Sequence, residues 1–252
     1  MRSPLSHPSR PYHSRQQICK ILPNQGKVEF ALSYDCELEL YIASHTYNDV
    51  SVRITHPHVY NFWNCLIEDK QRVYDILLSD WFKFGKQDFH MLQKDWSTWT
   101  DPFHRAALFF ILSAASSKGI PSAGKLDLSN MHALTYSRLK LFKRPANLEL
   151  ILDDGDIHSL QKSDADTVVI LGGDYHYNTL EYGLPQGAES VMIKHDHIYS
   201  NWDGFSDNTY LLYNYHPELM TKYQHSHITM IDKYGLSTKW QNECKELIIA
   251  KR

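Results

Sequence analysis

Apolar and polar positions fall into blocks along this chain, with strand-like runs alternating with helix-like ones. Residues 167–171 (Thr-Val-Val-Ile-Leu) form a β-branched, almost wholly apolar run, the pattern of a strand buried on both faces. Runs at 27–32, 148–152, 208–213, 227–231 and 244–250 read as further strands, and Tyr47-Asn48-Asp49-Val50 reads as the end of a second strand. Helical spacing marks 57–78, with Val59, Phe62, Leu66, Val73, Ile76 and Leu77 on one side. Residues 37–44 and 216–223 are shorter helices between strands.

Helix ends are marked by specific residues. Asp101-Pro102 is a strong start, because Asp caps free N–H groups and Pro at the first helical position gives up none. This helix is expected to run to about Ser116 and to stop at Lys118-Gly119. Ser129 is expected to cap a helix through Phe142, with Pro145 beyond it. Residues 1–16, rich in Pro, Ser, Arg and His, read as an irregular arm.

The alternation predicts an α/β fold with a mostly parallel sheet covered on both faces. A helical stretch at 81–147 breaks that rhythm. It is expected to be an insertion into a core made of 1–80 and 148–252.

Composition narrows this picture little. The chain has 252 residues, 42% hydrophobic and 22% charged, an ordinary globular balance that allows a full core. Its longest apolar run, 106–112, is far shorter than the ~18 residues a membrane span needs. No apolar leader follows Met1-Arg2-Ser3-Pro4, and Cys19, Cys36, Cys65 and Cys244 have no paired spacing. A cytoplasmic protein with free thiols and no membrane partner is expected.

Charge is more informative by region than in total, which is −3. Residues 1–27 carry Arg2, Arg10, Arg15, Lys20 and Lys27 with no acid. Residues 81–147 hold ten Lys/Arg against four Asp, and 148–252 hold eight against sixteen Asp/Glu. A basic middle on an acidic frame suits one DNA-facing surface, and equally a solvated helical segment. Histidines pair at i, i+2 in His56-Pro57-His58, His195-Asp196-His197 and His225-Ser226-His227. On a strand, each pair would share a face. No third ligand stands at a recognisable spacing, so no metal is expected.

Candidate chemistry sits just past the 167–171 strand, where α/β sheets bind ligands. The residues there are Gly172-Gly173-Asp174-Tyr175. Other landmarks occur in a fixed order: Pro4-Leu5, Val28-Glu29-Phe30-Ala31, Asn48-Asp49-Val50, and Asp101-Pro102-Phe103-His104-Arg105-Ala106-Ala107-Leu108-Phe109. Then come Gly155-Asp156-Ile157, the strand into Tyr175, Leu211-Leu212-Tyr213-Asn214, and Lys245-Glu246-Leu247-Ile248-Ile249. This ordered set resembles the Dam-type DNA adenine methyltransferases over nearly the whole chain, and the 101–109 stretch is its most specific piece.

The resemblance implies a Rossmann-like class I methyltransferase sheet, S-adenosylmethionine as cofactor and an adenine flipped out of duplex DNA. It assigns Asp49 to the cofactor ribose, Asp156 to the cofactor adenine and Tyr175 to stacking on the flipped base, and it matches Asn214 to a late core Asn. Because family members occur in mobile and viral genomes, it also raises a viral origin.

Three departures alter what the resemblance implies. The family's glycine cluster after the first strand is replaced by Ala31-Leu32-Ser33-Tyr34-Asp35-Cys36, with Leu32 and Tyr34 expected to project into the cofactor space. Its amino-terminal Gly-Gly-Lys is replaced by Ser9-Arg10-Pro11. Its catalytic Asp-Pro-Pro-Tyr is replaced by Gly172-Gly173-Asp174-Tyr175. The family's Asp accepts a hydrogen bond from the adenine amino group, and Gly172 has no acceptor to offer. The expectation is therefore a catalytically degenerate methyltransferase-fold protein that has lost S-adenosylmethionine. It would be retained to bind double-stranded DNA through 81–147, to bind a protein partner, or as a structural component. The alternative is an active DNA adenine methyltransferase with Asp174 and Tyr175 as a displaced centre.

Overall fold

A computed structural model describes residues 2–5, 11–79, 86–131, 133–153, 156–175 and 195–251. Gly155, Ser9 and Arg10, singled out above, lie outside them.

Eight strands form one sheet. They are β1 (Lys27–Ala31), β2 (Asp49–Ile54), β3 (Leu148–Leu152), β4 (Thr167–Gly173), β5 (Thr209–Asn214), β6 (His227–Asp232), β7 (Ser237–Thr238) and β8 (Cys244–Ala250). The spatial order is β3-β2-β1-β4-β5-β8-β6-β7. β3 through β5 pair in parallel, and β8 enters antiparallel between β5 and β6. The fold is thus α/β with a mostly parallel mixed sheet. Its β3-β2-β1-β4-β5 portion follows the order of doubly wound nucleotide-binding sheets.

The helices are α1 (Arg15–Ile21), α2 (Glu37–His45), α3 (Pro57–Leu78), α4 (Lys86–Asp95), α5 (Pro102–Ala115), α6 (Ala133–Leu141), α7 (Ile157–Gln161), α8 (His195–Ser200) and α9 (Pro217–Lys222). Side-chain alternation along the strands builds a core on each face. Val28, Phe30, Val169, Leu171 and Leu212 point into a large cluster with α2, α3 and α5. Ala31, Val168, Ile170, Leu211 and Tyr213 point into a second cluster with α7, α8 and α9. α5 is buried along most of its length, from Phe103 to Ala115, and packs on α3 within the first cluster. The apolar positions of the 81–147 segment therefore enter the sheet-backed core through this helix.

Local chemistry explains the helix ends. Asp101 accepts a hydrogen bond from His104 N at 2.8 Å, and Pro102 opens α5. α3 occupies the expected span but breaks at Asp69 (φ −151°, ψ 83°). There the Asp69 carboxylate accepts from Arg72 N at 3.0 Å and caps the second half of the helix.

Several expectations are corrected. Residues 47–50 span the start of β2, not its end. Asp127, not Ser129, is the capping residue near 129; it caps a 3-10 turn at Leu128–Asn130, and α6 begins at Ala133. The arm expected over 1–16 turns into α1 at Arg15. His195 and His197 lie on a helix, where the i, i+2 spacing does not share a face.

Among the described residues, no helix is long and apolar enough to cross a membrane. No group of three or more His, Cys, Asp or Glu side chains could hold a metal ion among them either.

Candidate functional site

β1 and β4 are neighbours, and the chain leaves them toward opposite edges of the sheet. Their carboxyl ends bound the crevice where ligands bind in open α/β sheets. Both loops singled out in the sequence, 32–36 and 174–175, meet there.

The loop after β1 keeps left-handed backbone without glycine, with Leu32 at φ 61° and Cys36 at φ 50°. The sheet's two cores take up its large side chains. Leu32 joins the cluster of Ile157 and Leu160. Tyr34 turns to the other face, its ring 5.9 Å from Phe109, and its carbonyl accepts from Trp63 Nε1 at 2.8 Å. The expected projection of Leu32 and Tyr34 into a cofactor space is thus replaced by core packing on opposite faces of the sheet.

Acidic residues crowd the start of α2. Asp35 Oδ1 accepts from Glu37 N at 3.3 Å, Glu37 Oε2 accepts from Ser3 N at 2.5 Å, and Ser3 Oγ donates to the Asp35 carbonyl. Ser3 and Leu5 are buried, which seats the first residues of the chain on this loop. A ligand's anionic group, which a helix start ordinarily attracts, would here face Asp35, Glu37 and Glu39.

At the end of β4 the backbone itself departs from the Asp-Pro-Pro-Tyr pattern. Gly172 and Gly173 are the last strand residues, and the pairing with β5 slips between Leu171 and Gly173. A Cβ on Gly172 would lie 2.1 Å from Cε1 of Tyr213, a fully buried ring. Gly173 has φ 66°, a value closed to proline, whose ring holds φ near −65°. Neither an aspartate at 172 nor a proline at 173 fits this backbone.

Asp174 and Tyr175 follow, each with defined neighbours. Asp174 Oδ1 accepts from Asn214 Nδ2 at 2.5 Å, which joins the ends of β4 and β5. The Tyr175 ring lies 5.5 Å from His195 and 5.1 Å from His216, with Lys222 Nζ 5.5 Å from its centroid. Lys222 also pairs with Asp196. That hydrogen bond, and then the one to Tyr175, hold the Lys222 ammonium above its ordinary range. Beneath them His195 Nδ1 is 3.1 Å from the Tyr213 hydroxyl. Burial pushes the Tyr213 phenol far above the usual value, so it stays neutral.

The other assigned residues are dispersed. Asp49 is exposed at the amino end of β2, opposite Lys27 in register. It is about 17 Å of strand away from the carboxyl edge. Asp156 caps α7 through His158 N at 3.0 Å, beyond β3. At the carboxyl end of β2 stand Thr55 and His56 instead of an acid. The nearby buried Glu29 is taken by Arg53 at 3.0 Å, with Asp153 at 3.7 Å from the same guanidinium.

Tyr213, His216 and Lys222 were not legible as site residues. They meet Tyr175 only because β5 and α9 pack beside β4. The traces in the sequence were the landmark Leu211-Leu212-Tyr213-Asn214 and the histidine pair containing His195. Compared with known protein families and with curated proteins, the chain matches none.

Proposed function

We propose that this chain is a methyltransferase-like protein whose reactive centre has been rebuilt as packed structure and which now serves to bind a partner, double-stranded DNA first. The observation that carries this reading is the Tyr213 ring standing where a side chain at position 172 would have to lie. Transfer to an adenine amino group needs an acceptor held to near-contact precision, and Gly172 supplies none. The acid-crowded start of α2 and the glycine-free loop after β1 support loss of S-adenosylmethionine. The strand order, with the crevice between β1 and β4, supports descent from a nucleotide-binding fold.

Double-stranded DNA is favoured by exposed Lys94, Lys118, Lys125, Lys140, Lys143 and Arg144 in the basic segment. Lys143 and Arg144 also line an open groove of about 360 Å³ against the break in α3.

Calorimetry with S-adenosylmethionine tests the first part. No saturable heat is expected at micromolar ligand, and micromolar binding would overturn the reading. Duplex DNA should bind at low salt and weaken steeply as salt rises. No duplex binding at low salt would favour a protein partner. The active alternative would be established by methyl transfer to unmethylated duplex that Asp174→Ala abolishes.

A further inference from the structure

Two tight turns enclose β7 at the outer edge of the sheet, and each presents an aromatic ring to solvent. Tyr234 is 71% exposed and Trp240 68% exposed. The turns are built to hold them. Asp232 Oδ1 accepts from Tyr234 N at 2.8 Å and from Leu236 N at 2.9 Å. Thr238 Oγ1 accepts from Trp240 N at 3.1 Å and donates to Glu243 Oε2 at 3.1 Å. The two aromatics are six positions apart in the chain, so their Cα atoms lie within ~20 Å.

Lysines flank them, beside the carboxylates of Asp232 and Glu243 that hold the turns. Lys233, Lys239 and Lys245 are exposed here, and Lys233 Nζ sits 4.9 Å from the Tyr234 ring centroid. Among the described residues, none of these three lysines forms an ion pair with a carboxylate. Beside the first turn lies the amino-terminal segment, which carries no acid through residue 27. Gln17 Nε2 donates to the Gly235 carbonyl at 3.0 Å, and a Cβ on Gly235 would meet the His13 carbonyl oxygen at 2.7 Å. Arg15 and Lys20 of α1 thus add to the same basic region.

Exposed aromatics interleaved with lysines match one chemistry best. Unpaired bases stack on the rings while the ammonium groups follow the phosphates, without need for sequence readout. An apolar protein partner would be met by a ring of lysines at its border, and an acidic one would leave the two rings without a matching surface. We propose that the β6–β7–β8 edge, together with α1, is a contact surface for single-stranded nucleic acid. This surface is separate from the basic 81–147 segment and does not depend on the methyltransferase reading.

The test is a fluorescence-anisotropy titration of the full chain with a labelled oligothymidylate of about twelve nucleotides, at about 50 mM salt. Trp240→Ala and Tyr234→Ala should each weaken binding by about five-fold or more. Replacing Lys233, Lys239 and Lys245 by Gln should reduce the salt dependence by about two units of slope. Oligothymidylate should also quench tryptophan emission, and Trp240→Phe should remove the quench. Both aromatics are exposed, so circular dichroism and Tm should stay at the wild-type values in these variants. Replacing Lys140, Lys143 and Arg144 by Gln should leave oligothymidylate binding intact, whatever it does to duplex binding. Absence of binding at low salt, or binding untouched by the aromatic variants, would overturn the proposal.

Discussion

Gly172 and Tyr213 occupy one space: the ring of Tyr213 fills the volume that any side chain at position 172 would need. The two residues stand on neighbouring strands, β4 and β5, where the pairing slips by one residue. The bare backbone at 172 and the placement of the Tyr213 ring are therefore one structural feature.

Introducing a side chain at 172 should cost stability. Gly172→Ala is expected to destabilise the protein by about 2–3 kcal/mol through overpacking, and Gly172→Asp by more because it also buries a charge. Tyr213→Ala alone should cost about 3–5 kcal/mol as a cavity. The double variant Gly172→Ala/Tyr213→Ala should cost at least ~1 kcal/mol less than the sum, because the two residues contend for one volume. Urea denaturation measures all three, and simple additivity would refute the shared-space account.

His56 should make the fold sensitive to mild acid. Burial first, and then the neighbouring His58, lower its pKa to about 4, while its Nδ1 caps α3 by accepting from His58 N at 3.2 Å. The unfolded chain keeps the ordinary value near 6.5. Between these two values the unfolded state binds more protons than the folded state, so stability falls as pH drops from about 6.5 to about 4. Below that window this contribution is flat. The loss is at most ~3 kcal/mol for one residue. His56→Asn retains a capping oxygen and should flatten this part of the stability profile, measured by denaturation across that pH range.

Asp101 should behave as a structural residue. Its carboxylate accepts from His104 N, lies 2.9 Å from His104 Nδ1 and accepts from Arg72 Nη2 at 3.0 Å, so it ties the start of α5 to α3. Asp101→Ala is expected to lower stability by about 1–2 kcal/mol, and Asp101→Asn by less because the cap survives. Equal losses in thermal denaturation would shift the weight from the cap to the ion pair with Arg72.

Glu246 should control the amino-terminal segment. This buried side chain accepts from Tyr12 N at 2.5 Å, His13 N at 2.7 Å and Ser14 N at 2.7 Å, and so pins the chain just before α1 to β8. Glu246→Ala leaves three donors without their acceptor and should cost about 3 kcal/mol. Amide exchange at residues 12–14 should accelerate before that of the sheet. Unchanged protection there would show that packing of Ile18 alone holds the segment.

Legibility followed the length and regularity of each element. The β4 run and both ends of α3 stood out because uninterrupted apolar residues and a Pro start leave few alternatives. α1, α7 and α8 have five to seven residues, too few to display a helical period. The break of α3 at Asp69 carries no Gly or Pro to announce it. The end of β2 was placed at Val50, four residues before Ile54. That error also carried Asp49 to the wrong edge of the sheet.

By itself, the order of residues determined most of the strands, the Pro-started helices α3, α5 and α9, and the absence of an acceptor at position 172, since each depends on neighbours close in the chain. Only the tertiary structure decided what occupies the crevice. Tyr213 lies 41 residues from Gly172, and the three donors held by Glu246 lie more than 230 residues from it. Such contacts depend on which strands pair and in what register, and a hydrophobic pattern with a period of two residues states which face a side chain takes but not which partner it meets.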